Sequence, residues 1–309
     1  MITKTFNFQD AEGISIFTYQ WIPEENVEIK AIVQIAHGMA ETAARYERFA
    51  EALTKEGYIV FANDHRGHGK TAGDIENVGY LGDKDGFDWM VENIYQLTEI
   101  IKEQYPDLPI FLFGHSMGSF LSQRYISLHG KDLKGAVLSG TNGKAGLLLH
   151  IGILLAEKEC NKKGRKTRSE KLNKLSFGNY NNLFKPNRTE FDWLSSDEKE
   201  VDKYINDPYC GGVFTAGFFY DFLTGLRKTH KWAEMQNIPK DLPIYIFAGD
   251  KDPVGNCGKG ILNLVKMYKK LQIKNVTYKL YKEGRHEMLN EVNREEVAKD
   301  VISWLNSQQ

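Results

Sequence analysis

The chain has 309 residues, 40 Lys plus Arg against 41 Asp plus Glu, and 41% hydrophobic residues. A formal net charge of −1 lacks the basic surplus of a dedicated nucleic-acid binder, so no nucleic-acid partner is expected. With 26% charged and 12% aromatic residues, and only 28 Gly and 8 Pro, the composition excludes a disordered, fibrous or low-complexity chain.

The opening MITKTFNFQDAEGISIF has no basic start followed by an apolar run, which argues against a secretory signal. No stretch is long and apolar enough to span a bilayer. The densest one, Leu147–Ala156, is short and contains His150. Cys160, Cys210 and Cys257 cannot all pair and show no C-x-x-C spacing, so neither a disulfide framework nor a zinc site is expected. The expectation is a soluble cytoplasmic protein.

In chain order, Thr3–Phe8 and Ile14–Trp21 are β-rich runs joined by Asp10-Ala11-Glu12-Gly13, a hairpin signal. Short apolar runs follow at Ala31–Ala36, Tyr58–Ala62, Pro109–Phe113, Gly135–Leu138, Pro243–Ala248 and Val276–Tyr281. Most are nearly continuous Ile, Val, Leu and Phe, as in strands buried on both faces of a parallel sheet. Helical stripes lie between them: Tyr46, Phe49, Ala50 and Leu53; Met90, Ile94, Leu97 and Ile101; Ile261, Leu264, Val265 and Tyr268. A last helix begins near Asn293, with Glu296 three residues on as in a capping box, and buries Val297, Val301 and Leu305. The alternation predicts an α/β fold with a mainly parallel, eight-stranded sheet flanked by helices.

The alternation breaks between about Gly143 and Asn237, where no convincing strand occurs. Leu147, Leu148, Ile151, Leu154 and Leu155 make one amphipathic stripe; Phe214, Phe218 and Phe222 make another. Lys158–Lys174 holds eight Lys or Arg against two Glu, and Thr189–Asp202 holds six acids against one Lys. The expected organisation is one α/β core, residues 1–142 plus 237–309, with a helical insertion over 143–236.

Gly114-His115-Ser116-Met117-Gly118 fits G-x-S-x-G. It follows an apolar strand and precedes helical spacing at Ser119–His129, the strand–turn–helix context that this motif requires. Such a turn lifts the Ser116 hydroxyl clear of the sheet. Serine needs a base to become nucleophilic. Among the eight histidines, His286 fits best, because it follows the strand Val276–Tyr281 through a short loop and comes late in the chain. The imidazole needs an acid to fix its tautomer. Asp250 and Asp252 both follow the strand Pro243–Ala248. Asp252 is favoured because Pro253 stiffens its loop, while Asp250 remains a rival that could cap the loop instead. Two backbone N–H groups are needed for an oxyanion. Met117 supplies one at the start of its helix, and Met39 the other in the turn His37-Gly38-Met39-Ala40-Glu41.

These pieces, with Asn63-Asp64-His65-Arg66-Gly67-His68-Gly69-Lys70 and Gly284-Arg285-His286-Glu287, resemble the α/β-hydrolase superfamily. More narrowly, the chain resembles its monoacylglycerol lipase, lysophospholipase and serine aminopeptidase-like group. The resemblance spans nearly the whole core. It implies a helical lid over the site and Ser116, Asp252 and His286 as nucleophile, acid and base. It also places the oxyanion donors at Met39 and Met117 and favours Asp252 over Asp250. Lys70 departs from the small or polar residue that members often carry.

The implied activity is acyl transfer from carboxylic esters without metal or organic cofactor. A small-molecule or lipid ester, such as a monoacylglycerol or lysophospholipid, is the expected substrate. Beside it the reading places His37, Gly38, His115, Phe214, Phe218 and Phe222, although such Phe stripes more often pack a lid onto a core. The basic run could meet a phosphate headgroup or membrane surface; a solvated face, or pairing with the acidic run, is the plainer reading. Three alternatives stand beside this. One is a short-chain carboxylesterase. Another is an aminopeptidase anchoring an amine on Asp192, Asp197 or Glu198. The third is a non-catalytic receptor on the same fold.

Overall fold

The computed structural model describes residues 1–143 and 146–309. Eight strands form one sheet: β1 (Ile2–Gln9), β2 (Ser15–Ile22), β3 (Ala31–Ala36), β4 (Tyr58–Asn63), β5 (Ile110–His115), β6 (Gly135–Ser139), β7 (Ile244–Gly249) and β8 (Val276–Tyr281). Their order is β1-β2-β4-β3-β5-β6-β7-β8. The β1–β2 and β2–β4 pairs are antiparallel; all others are parallel. The switch to parallel pairing falls where the sequence changes from alternating to continuous apolar runs, since helices then cover both faces.

Helices α1 (Glu47–Lys55) and α10 (Arg294–Asn306) cover one face. There Phe49 and Leu53, Val297, Val301 and Leu305 pack with Val33, Val60, Phe111, Phe113 and Phe247. Helices α2 (Gly86–Gln104), α3 (Met117–His129) and α9 (Lys259–Lys270) cover the other, over Ile32, Ile59, Leu112, Leu138 and Ile246. The alternation Ile32/Val33 and Leu112/Phe113 divides each strand between the two layers. Strand β8 departs from the expectation of burial on both faces. It is the sheet edge, and Thr277 and Tyr278 are exposed. The capping box expected at α10 is also absent. Asn293 Nδ2 donates to Glu296 Oε2 at 3.0 Å, a side-chain pair instead of a bond to the helix N–H groups.

Among the described residues, five helices lie between β6 and β7: α4 (Leu147–Lys163), α5 (Glu170–Phe177), α6 (Glu198–Asn206), α7 (Ala216–Thr229) and α8 (Trp232–Met235). Of the expected insertion over 143–236, positions 144 and 145 lie outside the described residues. Among the described residues this segment has no strand, as its sequence pattern indicated. Helix α4 turns a different face inward from the one its leucine stripe suggested. Leu149, Gly152, Ile153 and Ala156 are buried, while Leu147, Leu148, Ile151 and Leu154 are exposed. The inward face carries Gly152, where an added Cβ would lie 3.2 Å from Leu223 of α7; the small residue lets the two helices approach.

Among the described residues the charged runs do not pair with each other. The acidic run bonds Arg48, Arg188, Lys203 and Arg294. The basic run bonds Glu159 and Asp221. Lys70 lies over aromatic rings, with Nζ 4.5 Å from the Phe17 centroid and 5.3 Å from that of Tyr19. No helix among the described residues is long and apolar enough to cross a membrane.

Candidate active site

The turn after β5 has the geometry that its glycines require. Ser116 sits at φ 50°, ψ −118°, a left-handed conformation that a non-glycine residue adopts only under constraint. Its N–H donates to Ser139 O at 2.9 Å, and its carbonyl accepts from Ser119 Oγ at 2.6 Å. A Cβ on Gly118 would lie 2.0 Å from Ala36 O, and one on Gly114 2.3 Å from Ser122 Oγ. Glycine at both places lets α3 pack directly on β3 and β5. Ser116 is thereby raised from the C-terminal edge of the sheet into a cavity.

His286 and Asp252 reach the same edge from the loops after β8 and β7. His286 Nδ1 and Asp252 Oδ1 are 2.9 Å apart, and both side chains are buried. Asp252 Oδ1 also accepts from Val254 N at 2.9 Å, so the loop beyond Pro253 aims the carboxylate. Asp250 does not cap its own loop; its Oδ1 accepts from Glu283 N at 2.8 Å in the neighbouring loop after β8. Burial works against the protonated imidazole of His286. The carboxylate of Asp252, with Glu287 and Glu41 beyond it, outweighs burial and holds the imidazole above its ordinary pKa. His115, by contrast, is pushed down to about 4 by burial and by the nearby His286.

Ser116, His286, His115, Gly38 and Met39 all line one cavity of about 630 Å³. Met117 lies just behind Ser116. As the first residue of α3 it has an N–H without an intrahelical acceptor, as does any first helical residue. Met39 precedes Ala40, whose φ of 55° turns the chain. The lining includes Phe177, Phe191, Trp193, Leu194, Tyr204 and Val213.

Four sequence-predicted residues fall elsewhere. His37 is wholly buried; its Nδ1 contacts Gly38 O at 2.8 Å and its Nε2 accepts from His65 N at 2.9 Å. It therefore braces the turn instead of facing the cavity. Phe214, Phe218 and Phe222 do not line the cavity either. Phe214 packs on His68 at 4.9 Å and on Phe218 at 4.6 Å, and Phe222 on Phe87 and Phe120 at 6.1 Å. The stripe is the hydrophobic face that docks α7 on α2 and α3.

The acids considered for an amine anchor are also occupied or remote. Asp192 accepts from Arg188 N at 2.6 Å and Thr189 Oγ1 at 2.5 Å. Asp197 caps α6 and bonds Arg294 at 2.8 Å. Glu198 is exposed. None of the three lines the cavity.

A buried ionic network was not foreseen. Arg45 holds Glu287 through two bonds, 2.7 and 2.6 Å, and Glu41 through one of 2.6 Å. Glu41 Oε1 in turn accepts from Gly38 N at 2.5 Å and Tyr46 Oη at 2.9 Å. The guanidinium thus links the turn bearing Met39 to the loop bearing His286. Burial opposes ionisation of Glu287, but Arg45 prevails and keeps its carboxyl well below the ordinary range. Glu287 adjoins His286 in sequence, and Glu41 and Arg45 share a helical i,i+4 spacing; those were the available signals.

A family model described as serine aminopeptidase, S33, matches residues 27–293. The monoglyceride lipase of Mus musculus is 28% identical over 304 residues, covering 96% of this chain and 88% of that protein. The monoacylglycerol lipase of Mycolicibacterium smegmatis is 28% identical over 97% of this chain and 96% of its own. A thermostable carboxyl esterase from Bacillus coagulans, solved with glycerol, superposes with a TM-score of 0.91 at 31% identity over 99% of both chains. With the model matching from before β3 to the start of α10, the chain belongs to the serine aminopeptidase S33 family of the α/β-hydrolase fold.

Proposed function

We propose that the protein is a serine esterase of the monoacylglycerol lipase type, with Ser116 as nucleophile, His286 as base and Asp252 as its acid. The observation that carries this reading is the buried Asp252–His286 pair, with His286 and a strained Ser116 lining one cavity with aromatic walls. Ser116 Oγ attacks the ester carbonyl carbon and its proton passes to His286 Nε2. The N–H groups of Met39 and Met117 receive the negative charge that develops on the carbonyl oxygen. The C–O bond to the glycerol breaks, and His286 returns the proton to the departing alkoxide. Water, deprotonated by His286, then attacks the acyl-serine; the acid leaves and Ser116 regains its proton.

The size of the cavity and its Phe177, Phe191, Trp193 and Leu194 walls suit an acyl chain. Its other ionisable lining residues favour an uncharged headgroup. Glu170 and Glu190 oppose Lys174, and Glu41 and Glu287 share Arg45. A neutral glycerol meets no repulsion there, whereas a phosphate would. In this reading residues 143–236 form the lid. The exposed row Leu147, Leu148, Ile151 and Leu154 continues along one face of α4 into exposed Lys158 and Lys162. Apolar side chains followed by cations on one helix face suit transient contact with the lipid surface that delivers such a substrate.

The test is hydrolysis of monoacylglycerols graded by chain length, beside a lysophospholipid of matched acyl group, with Ser116→Ala as control. The expected result is an optimum at medium or long chains and a preference for the neutral headgroup. A rate that is highest for the shortest esters would overturn the lipid reading and leave a general carboxylesterase.

A further inference from the structure

The imidazole of His286 lies between two rings. The His115 centroid is 4.8 Å away and that of Trp193 is 5.0 Å away. His115 belongs to the turn that carries Ser116. Trp193 comes from the segment between β6 and β7, far from the loop of His286 in sequence. Its indole is backed by Phe177, stacked at 6.2 Å, and by Tyr180 at 5.0 Å. Gly140 closes the imidazole from below, since a Cβ there would lie 2.9 Å from His286 Cε1.

The backbone around Trp193 is fastened to the loop of His286 at every step. His286 N donates to Trp193 O at 3.3 Å, and Glu287 N to Leu194 O at 2.7 Å. Arg285 donates to Asp192 O and to Ser195 O, the latter at 3.1 Å, while its guanidinium covers the Phe184 ring. Ser195 Oγ donates to Asn290 O at 2.9 Å. Glu291 Oε1 accepts from Ser196 N at 3.0 Å and from Arg285 N at 2.9 Å, and its Oε2 accepts from Ser196 Oγ. Asp197 pairs with Arg294 at 2.8 Å. Glu291 is buried and bonds both sides of the junction.

We infer that Trp193 is a positioning residue for His286, pressed onto the imidazole by a strap over 192–197 that Glu291 pins to the base loop. The inference rests on His286 being the base. Its consequence is a division of labour within the helical segment. The strap stays with the base, while among the described residues no hydrogen bond joins α4 to the base loop. The charged and titratable groups facing the imidazole are Asp252 from the β7 loop, His115 from the turn after β5, Glu41 from the turn after β3, and Glu287 beside it, with Arg45 between the last two. None of these is altered when Trp193 is replaced. Removing the indole admits water to the ring, and hydration favours the protonated imidazole.

The experiment measures the rate of Ser116 phosphonylation by a small fluorophosphonate against pH, in the full chain, for the parent, Trp193→Ala, Trp193→Phe and Glu291→Gln. A small probe keeps acyl-pocket contacts out of the readout. Trp193→Ala should label slower, on the order of 10- to 100-fold, as expected for a misplaced catalytic group. The acid limb of its profile should move to higher pH. Trp193→Phe should restore most of the rate, and Glu291→Gln should shift both readouts in the same direction by less. If Trp193→Ala does not fold, Glu291→Gln carries the same comparison. Parent rates and parent pH profiles in folded Trp193→Ala, or in Glu291→Gln where that variant carries the test, would overturn the inference. His286→Ala separates the two claims: undiminished labelling there removes the base assignment itself.

Discussion

Replacing Arg45 by Met should expose the energetics of the network beneath the site. Arg45 is nearly buried, and its two partners Glu41 and Glu287 are 4% and 6% exposed. Met fills much of the aliphatic volume but leaves two buried carboxylates without their cation. Removing one partner of a buried ion pair costs about 3–5 kcal/mol. For 309 residues, an unfolding entropy of about 2.1 cal/mol/K per residue gives roughly 0.65 kcal/mol/K, so Tm should fall by about 5–8 °C near neutral pH. The pH dependence is diagnostic. In the parent, Glu287 is held below its unfolded pKa of 4.5, so its contribution is present above that pH and is lost as the pH falls further. Without Arg45, burial dominates and raises the same carboxyl above its unfolded value. Protonation of that carboxyl then favours the folded variant as the pH falls toward 5, a term the parent lacks, so the variant's deficit against the parent shrinks. Scanning calorimetry at pH 8, 7, 6 and 5 reads both effects. A change below about 1 °C at pH 8, or a deficit independent of pH, would show that Arg45 is not what keeps the two buried carboxylates ionised. Lys at this position should recover only part of the loss, because it cannot hold Glu287 through two parallel bonds.

Asp252→Asn should lower kcat by on the order of 10⁴, the scale of losing the orienting acid of such a triad, while Asp250→Asn should keep kcat and cost about 1 kcal/mol in a urea titration. Comparable losses of kcat in both would contradict the separate roles of the two acids. Phe218→Ala should cost about 3–5 kcal/mol of stability with little change in chain-length preference, whereas Phe177→Ala should shift that preference with a smaller stability loss. The opposite pattern would return the Phe stripe to the pocket. Burial lowers the pKa of His37 to about 4 and of His68 to about 3, and takes His65 well below the ordinary value. Their unfolded values lie higher, at 6.5, so the unfolded chain binds more protons. Stability should fall as the pH drops from about 6.5 toward 4, each ring contributing up to about 1.4 kcal/mol per pH unit. Urea midpoints that stay level from pH 7 to 5 would count against this.

The core was legible because its signals are local. β3, β4, β5 and β7 are runs of Ile, Val, Leu and Phe long enough to be strands and too short to be helices, and they are buried throughout. The Ser116 turn was legible because Gly114 and Gly118 are demanded by contacts with backbone and Ser122 that no side chain could share. What failed depended on which way a helix turns. On α4 and α7 apolar residues occupy more than one face, so periodicity marked the helices without choosing the inward side. The actual cavity walls come largely from short pieces between helices, such as Phe191, Trp193, Leu194 and Val213, where no period exists to be read. Glu41, Arg45 and Glu287 meet only because β3 and β8 deliver their loops to one sheet edge. Asp250 and Asp252 both follow β7, and beyond the hint from Pro253 it took the fold to separate them, with Asp252 against His286 and Asp250 bound to Glu283 N.

Ser116, activated by His286, should form the covalent acyl-enzyme. Intact-protein mass spectrometry after exposure to a fluorophosphonate tests it most directly. One adduct per chain is expected, mapped to Ser116, absent in Ser116→Ala and formed far more slowly in His286→Ala. An adduct retained in Ser116→Ala, or mapped to another residue in the parent, would contradict it.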